Sequence, residues 1–247
     1  MIMERFLFEG NISVKAAIMG NVRPVHEILV ADGKKDRDTV WILHRAIERG
    51  IPIRTMRRED INAIAQGHTH GGLLAWCGER TFQNIEQCDD QEQCFLALVE
   101  GIEDPFNFGS VLRTLYASGC NGVILTRHWQ LASSVIARCS AGASEYLPLI
   151  YAQDLPAMIE RLHQRRINIL CGERKNAVSL YDYSFPSRFV LAIGGEMRGL
   201  SKPVLQASDQ NIYIPYGRDV RNALNAVSAT AVFSFEILRQ RIKNPNQ

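Results

Sequence analysis

The chain has 247 residues, 46% hydrophobic and 22% charged, with a formal net charge of +2. That composition excludes a disordered or fibrous chain, and so small a net charge argues against a general polyanion-coating role. The six cysteines, Cys77, Cys88, Cys94, Cys120, Cys139 and Cys171, form no C-x-x-C pair and no zinc spacing, so they read as reduced core residues and no metal site is expected. No stretch has the apolar length that spans a bilayer, and Met-Ile-Met-Glu-Arg-Phe lacks the basic-then-apolar order of a secretory signal. A soluble cytoplasmic protein is expected.

The first 80 residues carry their own α/β pattern. Asn11 to Met19 predicts a short helix, and Val25 to Val30 a strand. Asp38 to Arg49 predicts an amphipathic helix ending at Gly50, with Val40, Trp41, Leu43, His44 and Ile47 on its inner face. A short strand at Ile51 to Ile53, a helix over Ile61 to Ala65 and a strand at Leu73 to Trp76 follow. Alternation on this scale makes a small domain, residues 1–80.

From Thr81 to Gln93 the apolar pattern lapses into Gln, Asn, Asp and Glu, which predicts a linker over 81–93. The second domain, 94–247, opens with the buried strand Cys94 to Val99 and a loop from Glu100 to Gly109. Further strands are expected at Gly122 to Thr126, within Glu145 to Ile150, and at Ile167 to Cys171, Phe189 to Ile193 and Asn211 to Pro215. Helices are expected at Ser110 to Ser118, Leu131 to Cys139, Leu155 to Gln164 and Ala223 to Arg239. This is a βα repeat with a parallel sheet and helices on both faces.

The stretch from Arg188 to Ser201 organises this domain. An unbroken apolar run, Phe189 to Ile193, empties into Gly194-Gly195-Glu196 and closes with Gly199 and Ser201. Ligands of open α/β sheets bind outside the carboxyl ends of such strands, and glycine lets the backbone come close. Two other loops fall at strand ends. Asp104-Pro-Phe-Asn107-Phe-Gly109 leads to Arg113, read here as one turn into its helix, whose guanidinium offers fixed donors to phosphate or hydroxyl. Tyr213-Ile214-Pro-Tyr216 precedes Ala223-Leu224-Asn225, where Asn225 is also placed to cap a helix. Each loop read alone also fits a plain capping or turn role. A dinucleotide fold is disfavoured because the first strand lacks G-x-G-x-x-G, and there is no Walker lysine motif, nucleophile elbow or H-E-x-x-H.

Together the three loops resemble the motifs of the SpoU (TrmH) family of SPOUT methyltransferases, which move a methyl group from S-adenosylmethionine to a ribose 2′-hydroxyl of tRNA or rRNA. Asp104 to Thr114, Leu191 to Ser201, and Ile214-Pro215 with Ala223 to Ala226 carry the likeness, in the family's order; Ser140 to Ala143 and Leu147-Pro148 add to it. The N-terminal domain is similar to the family's small RNA-substrate domain, with His70-Gly71 near its usual ending, where relatives often carry Gln in place of Gly71. The resemblance implies a trefoil knot in the catalytic domain, a homodimer formed through that region, and an RNA partner. It implies cofactor contacts at Gly194, Ile214 and Leu224, and catalytic roles for Asn107, Arg113, Glu196 and Asn225. Arg113 would hold phosphate and polarise the hydroxyl, Asn107 and Glu196 would fix its loop, and Asn225 would orient cofactor or ribose.

Relatives commonly have Ser at the positions of Ala223 and Val227. The missing hydroxyls keep open an RNA-binding or ribosome-assembly protein that retains the fold without turnover. A SPOUT base methyltransferase is disfavoured by the Asn-to-Arg spacing. Basic residues gather in the N-terminal domain, among them Lys15, Arg23, Lys34, Lys35, Arg37, Arg54, Arg57 and Arg58. Phosphate contacts from such a cluster would make binding salt-sensitive.

Overall fold

In the computed structural model, which describes residues 4–88, 92–127, 133–195, 197–219 and 223–243, the first strands carry runs of buried residues because side chains on both faces of their sheet are covered. Strand β1 (Phe6–Glu9), absent from the sequence reading, leads into α1 (Gly10–Gly20), β2 (Val25–Ala31), α2 (Arg37–Glu48), β3 (Ile53–Met56), α3 (Arg58–Ile64) and β4 (Leu73–Cys77). The sheet order is β1-β4-β2-β3; β4 runs antiparallel to both neighbours, and β2 and β3 are parallel. One face sends Phe6, Phe8, Ile28, Val30, Leu73 and Ala75 against Val14, Ile18, Ile42 and Ala46 of α1 and α2. The other sends Leu7, Leu29 and Leu74 against Ile61 of α3.

Helix α2 presents a different face from the one its apolar residues predict. Val40 and Ile47 are 55% and 71% exposed, and the buried residues are Thr39, Ile42 and Ala46. The reason is Asp36, whose carboxylate caps the helix by accepting the Thr39 N–H at 3.0 Å and the Thr39 hydroxyl at 2.7 Å. With its hydroxyl satisfied, Thr39 can face inward and sets the phase of the buried stripe.

The second unit is built on the fully buried strand β5 (Cys94–Glu100). In chain order follow α4 (Pro105–Ala117), β6 (Gly122–Leu125), α5 (Ser133–Cys139), α6 (Ala143–Tyr146), β7 (Leu149–Tyr151), α7 (Leu155–Gln164) and β8 (Asn168–Gly172). Then come β9 (Ala177–Ser179), β10 (Arg188–Gly194), α8 (Lys202–Gln206), β11 (Gln210–Tyr213) and α9 (Ala226–Lys243); α6, β9 and α8 were not anticipated from the sequence. Seven strands align in the order β7-β6-β5-β10-β8-β11-β9, every pair parallel. One face packs Leu96, Leu98, Ile169, Val190 and Ala192 on Met158 and Leu162 of α7 and Val204 of α8. Helices α4 and α9 pack on one another, and α9 lies on β10. Contacts place α5 and α6 with the first unit, which comprises the described residues 4–81 and 133–146.

The starts of α4 and α9, both beside the candidate loops, differ from those expected. Asp104 accepts the Asn107 N–H at 2.9 Å and Pro105 occupies the first helical position, so α4 starts five residues before the expected Ser110. Asn107 is therefore in the first helical turn, and Arg113 is in the third turn rather than one turn in. At the other boundary Asn225 accepts the Ser228 N–H at 2.8 Å, so α9 begins at Ala226 and Ala223 to Asn225 precede it.

Candidate active site

The carboxyl ends of β8, β10 and β11 enclose a cavity of about 270 Å³. Gly172, Glu173 and Arg174 line it after β8; Ile193, Gly194, Gly195, Gly199 and Leu200 after β10; Tyr213, Ile214 and Tyr216 after β11; Ala223, Leu224, Ala226, Ala229 and Phe233 complete the wall. Gly194, Ile214 and Leu224, expected from the sequence to meet a cofactor, thus stand around one space. Asn225 lies between two lining residues with its side-chain oxygen on the α9 cap. Asn107 is half-buried and Arg113 exposed, both on α4 and neither in the cavity wall. Glu196 lies outside the described residues. Glu173, Arg174 and Phe233 went unnoticed in the sequence; the first two follow a strand carboxyl end, the signal that marked the other loops.

The glycines make a wall of backbone. Gly195 donates its N–H to the carbonyl of Glu100 at 2.7 Å, and Gly199 donates to the carbonyl of Gly195 at 2.9 Å. A Cβ on Gly195 would fall 1.9 Å from the Gly101 oxygen, and one on Gly194 would fall 2.5 Å from the carbonyl carbon of Gly199. Glu100, the last residue of β5 and 8% exposed, also accepts the Ser201 N–H on its carboxylate at 3.0 Å. One residue thereby holds both ends of the 195–201 loop. Across the cavity the Tyr216 hydroxyl accepts the Leu224 N–H at 2.8 Å, joining the two C-terminal loops. The Arg174 guanidinium lies 4.3 Å from the Tyr216 ring centroid. Cys171, which precedes the Gly172-Glu173 corner, is pushed up to about 11, chiefly by burial, so it stays a thiol at neutral pH and is no nucleophile.

The lining suits a molecule with a flat apolar part and a charged end. Ile193, Leu200, Ile212, Ile214, Leu224 and Phe233 supply apolar surface, and the backbone at Gly194, Gly195 and Gly199 allows close approach. Among the described residues Glu173 and Arg174 are the charged side chains of the wall. An adenosyl group attached to an amino acid fits that division.

A parallel α/β sheet with a glycine-walled cavity at its strand carboxyl ends, joined to a small mixed-sheet unit, defines a two-unit α/β protein that binds a ligand at its strand ends. A match to the SpoU rRNA methylase family covers residues 95–235, and a match to the RNA 2′-O ribose methyltransferase substrate-binding family covers residues 7–83. The chain belongs to the SpoU family of RNA 2′-O-ribose methyltransferases. It is 28% identical to a Staphylococcus aureus protein assigned to the TrmH family of tRNA/rRNA methyltransferases, over 97% of this chain and 98% of that one. A Staphylococcus epidermidis relative of the same assignment is 29% identical over 97% of each chain. Among solved structures it is similar to an RNA 2′-O ribose methyltransferase with TM-score 0.79 at 21% identity, covering 97% of this chain and 90% of that one. It is also similar to the SpoU methyltransferase AviRb of Streptomyces viridochromogenes in complex with AdoMet, with TM-score 0.78 at 21% identity, covering 96% and 91%.

Proposed function

We propose that the cavity at the carboxyl ends of β8, β10 and β11 holds the S-adenosylmethionine from which this SpoU methyltransferase methylates a ribose 2′-hydroxyl of tRNA or rRNA. The observation that carries the placement is the convergence of Gly194, Ile214 and Leu224, from three separate stretches, on one wall. When bound, S-adenosylmethionine supplies an electrophilic sulfonium methyl. Opposite charges vanish as oxygen meets that methyl, so a water-poor lining such as Ile193, Leu200 and Phe233 favours transfer. Aligning the two groups removes much of the entropic barrier.

A guanidinium offers donors and no acceptor, so Arg113 binds phosphate and donates to the attacking oxygen rather than taking its proton. Asn107 and Glu196 steady the Arg113 segment. Asn225 has its oxygen on the α9 cap, which leaves its amide nitrogen to orient ribose or cofactor. Residues 1–80 serve as the RNA-binding domain, 81–93 as linker and 94–247 as the methyltransferase domain, its chain threaded as a trefoil knot. Phe106, Tyr116, Phe235 and Ile242 of α4 and α9 are 56%, 48%, 48% and 71% exposed, apolar surface that supports a homodimer through this region. No helix among the described residues is long and apolar enough to cross a membrane. That fits RNA as the partner in the cytoplasm.

The test is methyl transfer from labelled S-adenosylmethionine to RNA lacking its own modifications, followed by mapping of the label. Label on a ribose, lost by at least about a hundredfold in Arg113→Ala, is the expected result. An Arg113→Ala protein at full rate would refute the central role. Ala223 lines the cavity, so the missing hydroxyl falls at the site itself, and this favours a non-catalytic RNA-binding protein as the second reading. Cofactor binding with no label in any RNA selects it.

A further inference from the structure

We infer that Arg174, with Glu173 beside it, recognises the amino-acid end of the methyl donor and so sets which way round the donor sits. The inference rests on the cavity being the S-adenosylmethionine site and goes beyond it by giving the two ends of the molecule different partners. The donor has a flat nucleoside at one end and an ammonium with a carboxylate at the other. The cavity has the same asymmetry. Among the described residues its wall is apolar or tyrosine side chain and glycine backbone except at the corner after β8, where Glu173 and Arg174 stand together. Among the described residues no other charged side chain lines it.

The geometry at that corner is what a carboxylate needs. The Arg174 guanidinium carbon sits over the Tyr216 ring, 4.3 Å from its centroid. Guanidinium donors lie in the plane, at the edge, and a contact through the carbon leaves them free for a two-point contact with a carboxylate. Tyr216 is itself held, since its hydroxyl accepts the Leu224 N–H at 2.8 Å. Glu173 is fixed as well: one carboxylate oxygen accepts the N–H of Arg174 at 2.6 Å and of Lys175 at 3.2 Å. Its other oxygen is left for an ammonium group. The pair complements a zwitterion.

Two probes separate this inference from the reading beneath it. S-adenosylhomocysteine carries the amino-acid end; 5′-methylthioadenosine keeps the nucleoside and thioether and lacks it. Titration calorimetry of each against the wild type and Arg174→Ala gives four affinities. The expected result is about a tenfold loss for S-adenosylhomocysteine in the variant, with 5′-methylthioadenosine unchanged. Arg174→Lys, which keeps charge but not the two-point edge, should recover part of that loss. Equal losses for both probes would mean that Arg174 merely supports Tyr216, and would overturn the inference. Unchanged S-adenosylhomocysteine binding with an impaired KM for RNA would overturn it in favour of a phosphate contact. Should the wild type bind neither probe, the cofactor reading itself falls. Arg174 is exposed, so the variant is expected to fold, and an unaltered melting curve checks this.

Discussion

Gly195 and Gly199 sit in one loop and are glycine for different reasons. A Cβ on Gly195 would lie 1.9 Å from the Gly101 oxygen, and the Gly195 N–H bond to Glu100 prevents the two strands of chain from separating. Gly199 has φ +62° with nothing within 4 Å of where a Cβ would stand. Gly195→Ala should therefore cost about 3 kcal/mol or more, and Gly199→Ala only about 1 kcal/mol for its left-handed backbone. Urea unfolding of both variants checks the order; equal losses would show that close approach is not what Gly195 provides. Charge at the opposite end of the chain gives a pH test. Asp36 is held well below its ordinary value of 3.8, first by the hydrogen bond from Lys34 and then by those from Thr39. A carboxylate whose folded pKa is depressed contributes stability above its unfolded pKa and loses it as pH falls toward the folded one. The stability gap between the wild type and Asp36→Asn should be full at neutral pH and close progressively below about pH 4. A gap that persists unchanged at pH 2 would mean that the ionised carboxylate is not its source.

Helix α4 shows what one capping residue does for an element and for its legibility. Asp104→Ala removes the side-chain acceptor of the Asn107 N–H and should cost about 1 kcal/mol, seen as a lower denaturation midpoint at unchanged slope. The Asp-Pro pair is itself a helix-start signature, yet Phe-Asn-Phe-Gly109 after it reads as loop; Gly109 is in fact buried inside the helix, where a small residue permits close packing. In α2 the same weighting of apolar residues over satisfied polar ones put Val40 and Ile47 inside, when Thr39 was the inward residue. Central strands such as β5 and β10 were legible because burial on both faces leaves a continuous apolar run. At the sheet edges β1 has an apolar run of only three residues, Phe6-Leu7-Phe8, too short to stand out, and the three residues of β9 are not buried. At the site, the loops after β10 and β11 were legible from glycine and position. The Glu173-Arg174 corner follows a strand carboxyl end as those loops do, but it was passed over because a charged pair in a turn equally fits a solvated surface. Glu100 went equally unremarked, though it clasps both ends of the 195–201 loop. Glu100→Gln keeps an oxygen for the Ser201 N–H and should retain S-adenosylhomocysteine affinity, whereas Glu100→Ala should weaken it about tenfold, since an amide left unpaired costs 1–3 kcal/mol. Equal affinity in both variants would leave only the Glu100 backbone as anchor.

On the scale of the whole chain, the first unit draws together residues far apart in sequence through a buried charge network. Arg23, 6% exposed, donates to both oxygens of Glu145, 1% exposed, at 2.7 and 3.2 Å. Arg80, 7% exposed, reaches the same carboxylate at 3.4 Å and donates to the Ser144 carbonyl. Burial pushes Arg80 down to about 10, still a cation at neutral pH, with Glu145 opposing that fall. Two guanidinium groups in the interior are tolerable only with their carboxylate. Next to it, a Cβ on Gly20 would fall 2.0 Å from the Glu145 carbonyl oxygen, so the 133–146 segment is seated against α1 by shape as well as charge. Replacing a buried partner costs more than the pair contributes, because the stranded charge cannot be rehydrated. Glu145→Ala should destabilise the first unit by about 3–5 kcal/mol. Arg23→Met with Glu145→Met should cost less than Glu145→Ala despite removing more hydrogen bonds, since it strands one guanidinium instead of two. Differential unfolding with hydrogen exchange read separately over 4–81, 133–146 and 147–243 checks this. The expected pattern is a joint loss of protection in 4–81 and 133–146. If 133–146 instead loses protection together with 147–243 while 4–81 is unmoved, the network is not what binds that segment into the first unit.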